Sequence, residues 1–542
     1  MWDDAAGTLA LLLGHVVDGA ADRPDPEVTG AILEEASRFA ARHLARLAPV
    51  TDREGCRLEH GRVRTAPGHD AAWRAYAESG WAGLTAPEAA GGQALPMAVA
   101  AAVQEIMDAE NPAFGMLAIN ARCATRLLAR HGDDATRDSW MPELASGRWG
   151  ATICISEPQA GSDVGRIRAR ADQDAAGNWT LSGEKCWISY GDHDLTARIG
   201  HFALARPRGA AEGTRGLSLF LVPDSRADGG RNKVSVARLE EKLGLHGSPT
   251  CALVFDAAEA IPIGPPGRGL PTLFAMIISM RLGVASQGAA VAQAASRVAE
   301  RYAAERGQGG EISAPPVPIS GHAEVRRLLL QMRMRAEAAR LLALQSAAWV
   351  DAADAGDPAA AARAALLLPV AKTFCAEAAF ANADAGIQIL GGAGYVRDWP
   401  MERMLRDCRV FTIYEGTSAI QGLDLLQRRV LGTGGEAVLR DVLDRLAPSP
   451  VLTTCVLETA AALAGAEARA REAASLPFLR LLAWACADGL LHRAGRQGGL
   501  LASSFSALAT FHTAEAEEAA APLAATCRRA DLDAAFAGVF SR

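Results

Sequence analysis

The sequence has no C-x-x-C pair among its ten cysteines and no cysteine–histidine cluster at metal-ligand spacing; Cys56, Cys154, Cys251, Cys408 and Cys527 stand far apart. That spacing excludes structural zinc and a disulfide framework, so no metal is expected and a reducing cytoplasm is the expected location. Positive charge is not in excess either. A net charge of -7 and a pI near 5.9 give no electrostatic reason to bind nucleic acid or an anionic membrane. The apolar stretch Leu9 to Val17 follows Asp3 and Asp4 and contains Gly14 and His15, which excludes a signal peptide; no mitochondrial-type presequence is evident. The apolar run from Ala275 to Ala295 carries Arg281 and Gln287, which favours a buried bundle helix over a membrane span. There is no G-x-G-x-x-G after a strand, no G-x-x-x-x-G-K-[ST], no H-E-x-x-H and no G-x-S-x-G. The common dinucleotide, phosphate-loop, zinc-protease and serine-hydrolase chemistries are therefore not expected. Gly432-Thr433-Gly434-Gly435 is the nearest imitation of a phosphate loop, but it follows a helical stretch and reads as a helix stop and linker.

What is present is a long chain, 542 residues, half of them apolar and 22% charged. It exceeds what one core usually serves, so roughly two to four packed units are expected. Residues 1–150 read as helical, with apolar positions at helical spacing in Ile32 to Leu47, Ala71 to Ser79, Ala98 to Ala109 and Ala121 to His131. From 151 to 266 the texture turns to short β-prone runs, including Trp179 to Ser182, Leu217 to Val222 and Ala252 to Phe255, punctuated by glycine, asparagine and aspartate. Long alanine- and leucine-rich helices return over 267–432, broken by the loop Gly307 to Ser320 and the turn Gly391 to Gly394, and predict a helix bundle. After the linker, 436–542 reads as an appended helical unit with Leu457, Leu463, Leu481, Leu482 and Leu490 available to pack.

Three segments suggest chemistry. Ile153 to Asp163 (ICISEPQAGSD) sets hydroxyls and main-chain amides directly after a β-prone run. Such a loop could offer uncharged donors to the polar edge of a flavin, with Ser156 among them, or could simply be a Ser turn ending a strand. Lys185-Cys186-Trp187-Ile188-Ser189 follows a Gly-Asn turn, so Trp187 and Ser189 should share a face under period-two alternation; an aromatic on a strand is equally ordinary core. Finally, Arg406 to Thr417 (RDCRVFTIYEGT) places Glu415 between apolar residues and Gly416. Burial there would raise its pKa and suit it as a base for a weak carbon acid, whereas an exposed position would leave a solvated or helix-capping carboxylate.

Together, in this order and separation, these segments resemble the acyl-CoA dehydrogenase family over nearly the whole chain up to about residue 432. Thr51 to Gly55, Gly191 to Leu195 and Lys242 to Cys251 further resemble its long-form branch, which includes 3-(methylthio)propanoyl-CoA dehydrogenases and carries an added C-terminal helical region. The resemblance implies a mainly α fold with a central β-barrel domain, made of a helical domain, a β-barrel and a four-helix bundle plus the C-terminal extension. It implies FAD between barrel and bundle at a subunit interface. Ile153, Ile155, Ser156, Gly161 and Ser162 would line the flavin, with Ser162 also near CoA, and Trp187, Ile188 and Ser189 would pack on the ring. Arg306 and Gln388 to Gly392, including Gly391, would meet the FAD of a neighbouring subunit; Thr417 would touch the cofactor; Arg281 would lie near the CoA 3'-phosphate; and Gly416 would allow substrate close to the backbone. Some relatives carry the base on the bundle helix, but Ile278, Ser279 and Met280 offer no carboxylate there, which leaves Glu415.

The implied reaction is α,β-dehydrogenation of an acyl-CoA to the trans-2-enoyl-CoA, with Glu415 taking the α-proton and flavin the β-hydride. An electron-transfer flavoprotein is the expected acceptor and a homodimer or homotetramer the expected assembly, with no membrane span and no nucleic acid. Other readings stand beside it: a related flavoenzyme, either an acyl-CoA oxidase, which would keep Glu415, or a flavin monooxygenase, most of which need no such base; and a DNA-associated stress-response flavoprotein of the same fold. The last fits poorly, because from Glu436 onward there are 12 acidic and 10 basic residues and no lysine, not a basic face.

Overall fold

Short polar residues set many of the helix starts. In the computed structural model, which describes residues 4–19, 25–226, 228–497, 501–529, 536 and 539, Asn111 accepts from the Phe114 N–H with Pro112 at the first helical position. Asp357 and Ser449 do the same ahead of Pro358 and Pro450. Each cap satisfies an otherwise orphaned amide, while the proline has no amide to lose. Asp3 and most of the expected extension beyond residue 529 lie outside the described residues.

The chain divides into two compact units, each built from non-consecutive stretches. One comprises Arg38–Leu95 and Glu110–Met280. It holds the helices Ala45–Glu54, His69–Glu78, Pro112–His131 and Asp134–Ala145 and, among the described residues, nine strands. Strands β1 (Arg57–Glu59) and β2 (Arg62–Arg64) form a hairpin. The others are β3 (Trp149–Cys154), β4 (Arg170–Gln173), β5 (Trp179–Ser189), β6 (Arg198–Pro207), β7 (Ser218–Pro223), β8 (Val234–Leu239) and β9 (Thr250–Ile263). The order β6-β4-β5-β9-β7 closes on itself through a β6–β7 pairing, with β3 added to β6 and β8 to β9. This is the expected barrel, and closure leaves it fewer free strand edges. Its core is packed by Leu181, Phe202, Leu204, Phe220, Leu221, Leu253 and Phe255, all at most 2% exposed.

The other unit comprises Met1–Ser37, Pro96–Ala109 and Arg281–Arg542. Its framework is long helices: Gly269–Glu305, of which the part from Arg281 belongs here, Ala323–Asp354 and Pro358–Leu390. Buried charges link them with Met97–Glu110. Arg340 pairs with Glu105 at 2.6 Å and with Glu337 at 3.0 Å, and Arg333 joins Glu337 to Glu300. Removing one member would leave an uncompensated buried charge, so the network fixes which helix faces meet. Gly391 to Gly394, expected as a turn, overlaps the single helical turn Gly392–Tyr395.

The C-terminal extension forms the helices Gly435–Leu446, Pro450–Ala464, Ala468–Arg496 and Ala502–Cys527. It docks on the framework through Arg480–Glu377 at 2.9 Å and Arg363–Asp441 at 2.9 Å. It also presses on the short helix Ser418–Leu423: a Cβ at Gly422 would stand 2.8 Å from the backbone of Ser475 and Leu476, so only glycine permits this approach. Three helices, Gly269–Glu305, Pro358–Leu390 and Ala468–Arg496, are long and apolar enough to cross a membrane. Their apolar windows are mostly buried inside the protein, as packing in a helical core requires.

Candidate active site

In the barrel unit, the loop after β3 is locked by one carboxylate. Glu157, 4% exposed, accepts from Lys185 Nζ (2.8 Å), Gln159 Nε2 (2.6 Å) and the main-chain amides of Arg168 (2.7 Å) and Ala169 (3.0 Å). Burial pushes its carboxyl upward, but Lys185 and the two amides outweigh that and hold it below the ordinary carboxylate range. Lys185 also donates to the Ile155 carbonyl at 3.0 Å, and the Cys186 amide donates to Ser156 at 2.9 Å. The loop Ile153 to Ser162 and the segment Trp187 to Ser189 are thus brought side by side.

The pairing register of β5 on β9 shifts between Lys185 and Ile188. Trp187 sits there with φ +63 and is 62% exposed. The alternation is interrupted before Trp187 and Ser189, where Lys185 and Cys186 are both buried; from there Trp187 is exposed, Ile188 buried and Ser189 half-buried. Ile188 packs its side chain into the barrel core, leaving only its main chain for a ligand. Gly161 and Ser162 are exposed, and a Cβ at Gly161 would meet nothing. An outward aromatic on a rigid strand beside uncharged serine hydroxyls and amides suits a planar, polar-edged ring such as flavin.

In the helical unit, Glu415 lies on a tight turn. It has φ +54 and Gly416 has φ +88, two left-handed residues in succession. Gln421 Nε2 donates to the Glu415 carbonyl (2.8 Å) and Lys372 Nζ to the Gly416 carbonyl (2.8 Å). Burial raises the Glu415 carboxyl above the ordinary carboxylate range, against the opposing charges of Arg281 and Lys372. Burial likewise pulls Lys372 down to about 8, with Glu415 opposing. Tyr414 donates its hydroxyl to Gln287 at 2.6 Å, anchoring the turn on its other side. Thr417 accepts from the Ile420 amide and so caps Ser418–Leu423.

Arg281, for which the resemblance implied the CoA phosphate end, is placed beside Glu415, its Nη1 3.2 Å from Asp424 Oδ2 and its side chain 12% exposed. Arg306 and Gln388 are exposed, as are Gly391 and Gly392. Tyr302, on the helix that ends just before Arg306, packs against Trp399 in the turn beyond Gly392–Tyr395, ring centroids 5.2 Å apart. A cavity of about 180 Å³ lined by Arg335, Thr373, Trp484 and His512, among others, contains none of the residues expected in the site. Sequence reasoning gave no role to Glu157, Lys185, Lys372 or Gln421. A lone lysine following Leu366 to Ala371 on an apolar helix was the available signal for Lys372.

With this geometry in view, the chain matches the family descriptions Acyl-CoA dehydrogenase, N-terminal domain over residues 26–148, middle domain over 152–258 and C-terminal domain over 267–431. The chain belongs to the acyl-CoA dehydrogenase family. It is 38% identical over 483 residues to the 3-methylmercaptopropionyl-CoA dehydrogenase of Ruegeria pomeroyi, covering 83% of this chain and 82% of that protein. It is 37% identical over 387 residues to the broad-specificity linear acyl-CoA dehydrogenase FadE5 of Mycobacterium tuberculosis, covering 67% and 63%. An acyl-CoA dehydrogenase from Bacillus anthracis, solved with FAD, superposes with TM-score 0.79 over 94% of this chain and 89% of its own at 20% identity, which shows the fold. This acyl-CoA dehydrogenase is accordingly an FAD-dependent oxidoreductase acting on acyl-CoA thioesters. The matches favour neither the DNA-associated nor the oxidase alternative.

Proposed function

We propose that Glu415 is the general base of this dehydrogenase and that its substrate carries a short linear acyl group of the 3-methylthiopropanoyl kind. The observation that carries the assignment of the base is its half-buried carboxyl, raised by partial removal from water and held on a fixed turn. A raised carboxylate is a stronger base at neutral pH, which suits an α-proton that is only weakly acidic. The α C–H bond breaks as a Glu415 Oε takes the proton, and its electron pair becomes the α,β double bond as the β-hydrogen departs with its own pair. Bound FAD supplies the acceptor for that hydride. The Glu415 N–H donates to no described residue, which leaves it available for the thioester carbonyl oxygen, where negative charge develops. In the barrel unit, Ser156, Ser162, Ser189 and the neighbouring main chain would hold the flavin edge and Trp187 its face; in the helical unit, Thr417 would touch the cofactor. Arg306 and Gln388 to Gly392 would reach the FAD of a second copy.

The substrate assignment is supported by the 38% identical relative. Electrons would pass to an electron-transfer flavoprotein, the acceptor that the family resemblance implies. A homodimer or homotetramer in the cytoplasm is supported by exposed Phe380, Tyr395, Val396 and Ile413 and by cysteines that are all free. The test is anaerobic bleaching of the flavin by 3-(methylthio)propanoyl-CoA, butyryl-CoA and longer linear thioesters, for wild type and Glu415→Gln. Rapid bleaching in wild type with a rate at least about a hundredfold lower in the variant is expected. Bleaching at equal rates in both would remove Glu415 as the base.

A further inference from the structure

The chain contains only four lysines, since nearly all of its positive charge is arginine. Two of the four, Lys185 and Lys372, are wholly buried, and each aims its ammonium at a backbone carbonyl, of Ile155 and Gly416 respectively. Lys185 is balanced by Glu157 at 2.8 Å. Lys372 has no ion pair with any described carboxylate within 4.0 Å. Burying an ammonium without a counter-ion is costly, so its one hydrogen bond, to the residue after the base, must matter to the fold or to the site.

Glu415 and Gly416 are both left-handed, and an L-residue such as Glu415 rarely holds that conformation unless its surroundings impose it. Their two carbonyls are held by two side chains from different helices: Gln421 of Ser418–Leu423 donates to Glu415 at 2.8 Å and more loosely to Gly416 at 3.4 Å, and Lys372 of Pro358–Leu390 donates to Gly416 at the shorter 2.8 Å. A compact ammonium suits a single carbonyl in a closed space, whereas the planar fork of arginine suits paired oxygens. We propose that Lys372 is a positioning residue for the base: by holding the Gly416 carbonyl it fixes the left-handed turn and so the direction of the Glu415 carboxylate. This rests on the reading of Glu415 as the base.

The charged and titratable groups bearing on Glu415 are Arg281, Lys372 and the Tyr414 phenol; those bearing on Lys372 are Glu415, Arg281 and Glu377. Arg281 is itself paired with Asp424. Loss of the Lys372 charge therefore leaves burial of Glu415 opposed by Arg281 alone, and the acid limb of the rate profile moves to higher pH.

The test is single-turnover bleaching of FAD-loaded enzyme with acyl-CoA as a function of pH, for wild type, Lys372→Met, Glu415→Gln and the double variant. Lys372→Met is expected to slow bleaching at least about tenfold, to keep acyl-CoA affinity within about twofold and to raise the acid limb. Added to Glu415→Gln, it is expected to change the residual rate by less than about twofold, because the group it positions is gone. Equal losses in both backgrounds, or weaker acyl-CoA binding at an unchanged rate, would overturn the proposal. Lys372→Gln keeps a donor without the charge and is expected to show the same upward move with a smaller rate loss; if Lys372→Met does not fold, an unchanged profile in Lys372→Gln overturns it. Failure of both variants to fold would make Lys372 a folding residue only. Wild-type bleaching by Glu415→Gln sinks the base assignment itself, whereas a slow Glu415→Gln beside a wild-type-like Lys372→Met sinks the Lys372 role alone.

Discussion

Glu415 carries two penalties at once, a left-handed backbone that costs an L-residue about 1–2 kcal/mol and a carboxylate removed from water. Both have consequences outside catalysis. Because the folded-state pKa lies above the ordinary value of 4.5, the folded protein holds this proton more tightly than the unfolded chain does. The stability so gained is complete below pH 4.5 and is lost as pH rises through the folded value. Glu415→Gln, which cannot ionise, is therefore expected to melt higher than wild type at pH 8, by on the order of a degree or two, with the gap closing towards pH 4.5. Scanning calorimetry across pH checks this, and a gap that widened in acid would contradict it. In the sequence Glu415 stands out as a carboxylate between apolar residues and Gly416, but the role of base is what the family resemblance implies. The lone lysine on an apolar helix was visible at Lys372 but its partner was not, because a hydrogen bond between residues 44 positions apart leaves no local trace.

At the scale of elements, the loop after β3 is a polar knot around Glu157 whose donors come from its own return path and from β5. Lys185→Met keeps the length of the side chain but strands a buried carboxylate. The expected cost is about 3–5 kcal/mol, read as a lower denaturant midpoint, together with weaker FAD retention during gel filtration. Loss of stability without loss of FAD would separate the knot from the cofactor loop. The strands of the barrel were visible as β-prone runs between turn residues, and the helices as apolar periodicity. The irregularity that turns Trp187 outward was not visible, since it arises from how β5 pairs with β9 and not from either strand alone.

Over the whole molecule, the C-terminal extension was legible as helical from its leucine spacing, but not its seat. That seat is backbone against backbone at Gly422, on the short helix that follows Glu415. Gly422→Val is expected to force the helices apart, costing about 1–3 kcal/mol and slowing flavin bleaching without altering which thioester is preferred. A stability loss with an unchanged bleaching rate would show the extension to be independent of the base. The scarcity of lysine also has a practical side. With Lys185 and Lys372 sealed inside and the Lys242 ammonium engaged by the Ser248 carbonyl, Lys233 is the one exposed lysine. Reagents that attack amines will find very few targets on this surface: cross-linking through lysine will report almost nothing of its assembly, whereas a dye or a resin coupled at Lys233 will label or tether it at nearly a single point.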